Sequence, residues 1–185
     1  GLLGQHIAAA GDINGDGFED LLVGAPNVTG NGPQSGVVHL VLGNSDTNIF
    51  DLDLKVFDGT HGETFRGEDA GDQLGNVAGI GDFNGDGIED MVFGAPHPSG
   101  NVAGSASGYV LFGREDGFAH PQGGAVDPSR LDLVYGNTGI LIDGFQDGAN
   151  LGDGVSGIGD FNGDGIGPEV IEQAVKVSDA VAKKF

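Results

Sequence analysis

The 185-residue chain contains no cysteine, no tryptophan and a single methionine, and it carries only 7 Lys plus Arg against 28 Asp plus Glu. Without cysteine there is no disulfide framework, no thiolate metal ligand and no thiol nucleophile, and the redox compartment stays open. So few cations cannot build the basic stripe that neutralises phosphates, which excludes nucleic acids and anionic membrane surfaces as partners. No stretch approaches the roughly 20 apolar residues of a membrane span, so this segment is not expected to insert into a bilayer. It starts at Gly1 with neither an initiator Met nor a signal peptide, and reads as a piece of something longer. What is abundant is acid and glycine: the formal net charge is −21, and there are 38 Gly. Cations are therefore the expected partners. With 38% hydrophobic residues, 11 Phe and no strict three-residue glycine period, the chain is neither collagen nor disordered filler and can bury a core.

Charge and glycine are unevenly placed. Residues 168–185 contain no glycine, and Glu169, Glu172 and Asp179 are balanced by Lys176, Lys183 and Lys184. The remaining 25 acids face only Lys55, Arg66, Arg114 and Arg130, so the whole −21 belongs to residues 1–167. Two regions follow, an acidic glycine-rich one over 1–167 and a neutral tail over 168–185.

The first region is repetitive. Gly11 to Pro26 (GDINGDGFEDLLVGAP) returns as Gly81 to Pro96 (GDFNGDGIEDMVFGAP), and GDFNGDGIG begins it again at Gly159. Leu3-Gly4, Leu74-Gly75 and Leu151-Gly152 introduce the three copies, and SGVVHLVLG (Ser35 to Gly43) matches SGYVLFG (Ser107 to Gly113). The apolar runs are short, rich in Val, Leu, Ile and Phe, and bounded by Gly, Asn, Asp and Pro, as antiparallel strands are. Strands are expected near Ile7 to Ala10, Asp20 to Val23, Val37 to Leu42 and Leu52 to Phe57. The second unit gives Val77 to Ile80, Asp90 to Phe93, Tyr109 to Phe112 and Leu131 to Tyr135, with Gly139 to Ile142 as an extra short strand. Four strands per repeat is the pattern of a propeller blade.

The chemistry lies in the nine-residue loop from Asp12 to Asp20. Oxygens at positions 1, 3, 5 and 9, with the backbone carbonyl of position 7, can converge on one hard cation, an arrangement that suits Ca²⁺. Position 6 is Gly, which lets the backbone turn tightly. The first site is thus Asp12, Asn14, Asp16, the Phe18 carbonyl and Asp20; the second is Asp82, Asn84, Asp86, the Ile88 carbonyl and Asp90. Glu19 and Glu89, at position 8, are expected to point outward. Asn-Gly-Asp-Gly is also ordinary turn chemistry, but two full copies in register favour the metal. An EF-hand or dockerin loop needs a twelfth-position acid and flanking helices, whereas position twelve here is Val23 or Phe93.

These copies resemble the FG-GAP repeats of the integrin α-chain β-propeller, in the calcium loop, the Leu-Gly lead-in and the Val-Gly-Ala-Pro or Phe-Gly-Ala-Pro strand. The resemblance covers residues 1–167. It implies that the loop links two strands of one blade, that Asp12, Asn14, Asp16, Asp20 and Asp82, Asn84, Asp86, Asp90 hold calcium, and that the protein is extracellular, secreted or at the cell surface. In that family seven blades close a ring, and bacterial relatives occur in adhesins.

The pattern breaks in the third copy. Asp160, Asn162, Asp164 and the Ile166 carbonyl are in place, but position 9 is Pro168 and the following strand is missing. The site is incomplete. Residues 168–185 have apolar residues at helical spacing behind a proline and are expected to form an amphipathic helix. GDGIGPEVIEQAVKVSDAVAKKF also resembles the amino-terminal segment of the β-decarboxylating isopropylmalate and isocitrate dehydrogenases. That segment carries none of the family's substrate, metal or cofactor residues. The five His are isolated from one another, Gly104 to Gly108 has Ala where a nucleophile elbow needs Ser, and there is no phosphate-binding Gly-Lys run.

The expected molecule is an all-β, incomplete propeller of two four-stranded blades and the start of a third, with a helical tail. Its expected role is a non-enzymatic calcium-binding segment of an extracellular adhesion or interaction protein, whose partners are calcium, a protein or matrix component, or the missing blades. The alternative is a fragment or fusion carrying the dehydrogenase amino terminus.

Overall fold

A computed structural model describes residues 3–45, 61–96, 106–115, 118, 138–144 and 150–157. They form eight strands in two antiparallel sheets. The first sheet holds β1 (His6–Gly11), β2 (Asp20–Ala25), β3 (Val37–Val41) and β4 (Gly62–Arg66), and the second holds β5 (Asn76–Gly81), β6 (Asp90–Ala95), β7 (Ser107–Leu111) and β8 (Gly139–Asp143). Both are meanders in chain order, and the registers repeat: His6 pairs with Gly24 as Asn76 pairs with Gly94, and Leu21 with Val41 as Met91 with Leu111. The architecture is all-β, two propeller blades side by side.

Seven of the nine expected strands fall where the apolar runs place them, and the two expected as fourth strands lie outside the described residues, where another segment is fourth in each sheet. In blade one it is Gly62–Arg66, and the Leu52 to Phe57 run lies outside the described residues. In blade two the strand expected as an extra, here Gly139–Asp143, is the fourth, and Leu131 to Tyr135 lies outside the described residues. β4 reads GETFR, with one apolar side chain, yet Glu63 and Thr64 are buried along with Phe65. Pairing with β3, with Phe65 packed on Phe93 and Phe118 of the second blade, accompanies strand formation here where apolar run length gives no signal.

The blades pack through β1 and β2 against β5. One continuous core joins them: Leu22, Leu40 and Phe65 from the first blade belong to the same cluster as Met91, Phe93 and Leu111 from the second, and the Phe65 and Phe93 rings lie 4.9 Å apart and tilted. Aromatic pairs of this geometry contribute about 0.5–1.5 kcal/mol beyond the area they bury.

The seam explains the repeated glycines. A Cβ on Gly24 would overlap the carbonyl oxygen of Gly75, and one on Gly94 would overlap that of Gly152. The Gly-Ala-Pro strand of each blade thus receives the Leu-Gly lead-in of the next, at backbone contact that only glycine permits. The third copy begins in the same way: Asn76 Nδ2 donates to the carbonyls of Gly152 at 2.7 Å and Asp153 at 2.9 Å, and Gly157 lies against the Gly79 carbonyl as Gly79 lies against that of Ala9. Residues 158–185, including the whole third loop and the expected helix, lie outside the described residues.

Candidate metal centre

Each nine-residue loop sits at a bulged hairpin end. The β1–β2 register shifts between Ala9 and Gly11, and the β5–β6 register between Gly79 and Gly81. Gly11 and Gly81 follow with φ of 84° and 74°, so the strand leaves its ladder with a turn that sets the next residue, Asp12 or Asp82, inside the loop.

Within the loops the acidic side chains collect backbone amides. Asp12 Oδ1 accepts from the Asp16 N–H at 2.9 Å and Oδ2 from Gly17 at 2.8 Å; Asp82 accepts from Asp86 at 3.0 Å and Gly87 at 2.9 Å in the same way. The Asn14 Oδ1 accepts from the Asp16 N–H too, at 3.1 Å, and Asn84 from Asp86 at 2.9 Å. Oxygens of positions 1 and 3 therefore converge on a single amide in both copies. Asp16 and Asp86 each accept from the N–H of position 7 and from the Asn side chain of position 3.

Position 9 is different because it lies on β2 or β6 rather than in the turn. Asp20 and Asp90 are 2% and 0% exposed. Asp20 Oδ2 accepts from Ile13 N–H at 2.9 Å and Oδ1 from Gly43 N–H at 2.7 Å. Asp90 Oδ2 accepts from Phe83 at 2.7 Å and Asn84 at 3.2 Å, and Oδ1 from Gly113 at 2.7 Å. Burial pushes both carboxyls up to about 6, against which the amide hydrogen bonds act, while Asp16 and Asp12 add repulsion at Asp20 and Asp86 adds it at Asp90.

Asp12, Asn14, Asp16, Phe18 and Asp20 are thus gathered in one loop, and Asp82, Asn84, Asp86, Ile88 and Asp90 in its copy. Among the described residues, no three His, Cys, Asp or Glu side chains converge closely enough to hold an ion between them; the carboxylates face their own amides instead. The donor set remains that of a hard cation, with three carboxylates, one amide oxygen and a backbone carbonyl in each loop. Asp160, Asn162, Asp164 and Ile166 lie outside the described residues.

Two participants were not visible in the sequence. Gly43 and Gly113 close the loops from the far end of the third strand; the matched glycines ending SGVVHLVLG and SGYVLFG carried the signal, but not the role of their N–H groups. Glu19 is exposed as expected, whereas Glu89 is half-buried and lies across Gly11 of the first blade, where a Cβ would overlap its Oε2.

Residues 4–41, which span β1, the first loop, β2 and β3, match the FG-GAP repeat family. The chain carries FG-GAP repeats of the integrin α type. It is 30% identical over 170 residues to integrin alpha-PS5 of Drosophila melanogaster, covering 89% of this chain and 15% of that protein. It is 31% identical over 123 residues to integrin alpha-4 of Xenopus laevis, covering 62% and 10%. Phosphatidylinositol-glycan-specific phospholipase D of Rattus norvegicus is 35% identical over 113 residues, 60% of this chain and 13% of the phospholipase. The chain therefore spans no more than about a seventh of the length of these curated relatives.

Proposed function

We propose that the chain is a calcium-binding FG-GAP segment of an extracellular adhesion or interaction protein, in which the ions are structural and pin the β1–β2 and β5–β6 hairpins. The observation that carries the reading is the repeated loop geometry: in two copies, 70 residues apart, the oxygens of positions 1 and 3 meet at the position-5 amide, and the position-9 carboxylate is buried in the same place beside the turn. An isolated buried carboxylate raised to about 6 costs the fold stability at neutral pH. A divalent cation drawing on Asp12, Asn14, Asp16, the Phe18 carbonyl and Asp20, or on the second set, offsets that cost and the repulsion among the three acids. Asp160, Asn162, Asp164 and Ile166 start a third such loop that lacks its ninth-position acid.

Similarity to integrin α-chains supports a protein or matrix partner, a cell-surface setting and a non-enzymatic role. The similarity to the phospholipase covers 13% of that enzyme and carries no catalytic assignment to this chain. Among the described residues no helix is long and apolar enough to cross a membrane. The repeat region extends over 1–167 and the differently composed tail over 168–185.

A thermal melt tests the reading. Calcium at 100 times its dissociation constant raises stability by roughly 2.7 kcal/mol per site, and EGTA returns the melting temperature to its starting value. A melting temperature indifferent to both reagents would refute it.

A further inference from the structure

We infer that the first metal loop is positioned by the second blade, so that Gly113, Arg114 and Glu89 belong to the first site although none of them lies in it. This rests on the calcium reading above and extends it to how the sites depend on one another.

Blade two grips the first loop at three points. The Arg114 N–H donates to the Ile13 carbonyl at 2.9 Å. Gly113 packs so tightly beneath the loop that a Cβ there would lie 2.8 Å from the Ile13 carbonyl oxygen and would overlap that of Glu89. The Glu89 side chain covers Gly11, immediately before Asp12. Ile13 is itself 1% exposed, and its N–H donates to Asp20 Oδ2.

A continuous path therefore joins the two buried carboxylates. Asp90 accepts from Gly113, the next residue donates to Ile13, and Ile13 donates to Asp20. The peptide carrying the Ile13 N–H fixes where Asp20 stands, and blade two holds the far side of that residue. Fixing Asp90 on an ion fixes Gly113 and Arg114, which orders the first loop before its own ion arrives. Such preorganisation appears as coupling between the sites, and it is reciprocal. Blade one repeats half of the device: Gly43 donates to Asp20 and packs on the Glu19 carbonyl as Gly113 does on that of Glu89.

The experiment is a calorimetric Ca²⁺ titration of the full chain in a D86A background, where only the first loop binds. Arg114→Pro deletes the N–H to Ile13 and is expected to weaken that loop about tenfold. Arg114→Ala, which removes the side chain and keeps the N–H, is expected to lose at least fivefold less. Gly113→Ala, whose Cβ collides with both carbonyls, gives the Arg114→Pro result by a different route. Independently of any substitution at 113 or 114, Ca²⁺ added to the D86A chain should slow hydrogen exchange of the Arg114 amide, which belongs to the other blade. First-loop affinity unchanged within twofold in both Arg114→Pro and Gly113→Ala, or exchange at Arg114 indifferent to Ca²⁺, would overturn the inference while leaving two independent calcium loops. Absence of Ca²⁺ binding in both D86A and D16A chains would remove the calcium reading, and this inference with it.

Discussion

Asp20 and Asp90 are charged groups placed where charge is expensive, each nearly sealed from water with both oxygens held by backbone amides. A rise from 3.8 to about 6 amounts to roughly 3 kcal/mol per carboxyl. Because the folded-state value is raised, the folded protein holds the proton more tightly than the unfolded chain. The associated stability is fully present below about 3.8 and is lost as pH rises through about 6. In EGTA, stability should therefore fall between pH 4 and 7, and in excess Ca²⁺ that fall should shrink, which denaturant titrations at a series of pH values will show. His39 acts oppositely. Burial, with Arg66 nearby, lowers its pKa below 6.5, so its contribution is present above 6.5 and is lost as pH falls below it; His39→Gln should flatten that acid limb. Asp20→Asn replaces an acceptor of two amides by a group that turns an NH₂ toward one of them. It should cost about 1–3 kcal/mol even in EGTA. These costs could not be read from the sequence, because Asp12, Asp16 and Asp20 look alike in a motif. Only the fold shows that the last lies on a buried strand.

Elements were legible to the extent that their residues form apolar runs. β2 (DLLVGA) and β6 (DMVFGA) announce themselves, and the loops between Asp12 and Asp20 and between Asp82 and Asp90 followed from spacing. β4 did not, since GETFR is polar by composition and its strand is defined by the ladder it forms with β3. The Gly-Ala-Pro ending was visible as a repeat but unexplained until Gly24 met Gly75 and Gly94 met Gly152. This gives a graded prediction. Gly24→Ala and Gly94→Ala drive a Cβ into a backbone carbonyl and should each cost more than about 2 kcal/mol by opening the seam. Gly17→Ala and Gly87→Ala have open space around the added carbon and a left-handed φ of 90° and 93°, and should each cost only about 1–2 kcal/mol of backbone strain. Chemical denaturation of the four variants measures the ranking.

At the scale of the molecule, the same face of the two blades has two fates. Leu74, Val77 and Met91 in blade two are 0%, 8% and 0% exposed, whereas their counterparts Leu3, Ile7 and Leu21 in blade one are 53%, 63% and 41% exposed. In the second blade that face is covered by the first. Met91→Ser should cost about 2–5 kcal/mol, while Ile7→Ser with Leu21→Ser should leave stability nearly unchanged and reduce concentration-dependent association, as sedimentation velocity would report. Eight of the 28 acids lie in the two hairpin loops, Asp12, Asp16, Glu19 and Asp20 in the first and Asp82, Asp86, Glu89 and Asp90 in the second, and two Ca²⁺ ions bound there would bring the formal charge from −21 to −21 + 4 = −17.

Calorimetric titration of the full chain with Ca²⁺, alone and with Asp16→Ala or Asp86→Ala, goes most directly to whether the loops are metal centres. The ligand assignment predicts two sites in the parent chain and the loss of one in each variant. Equal stoichiometry in all three proteins, or no binding in the parent, would contradict it.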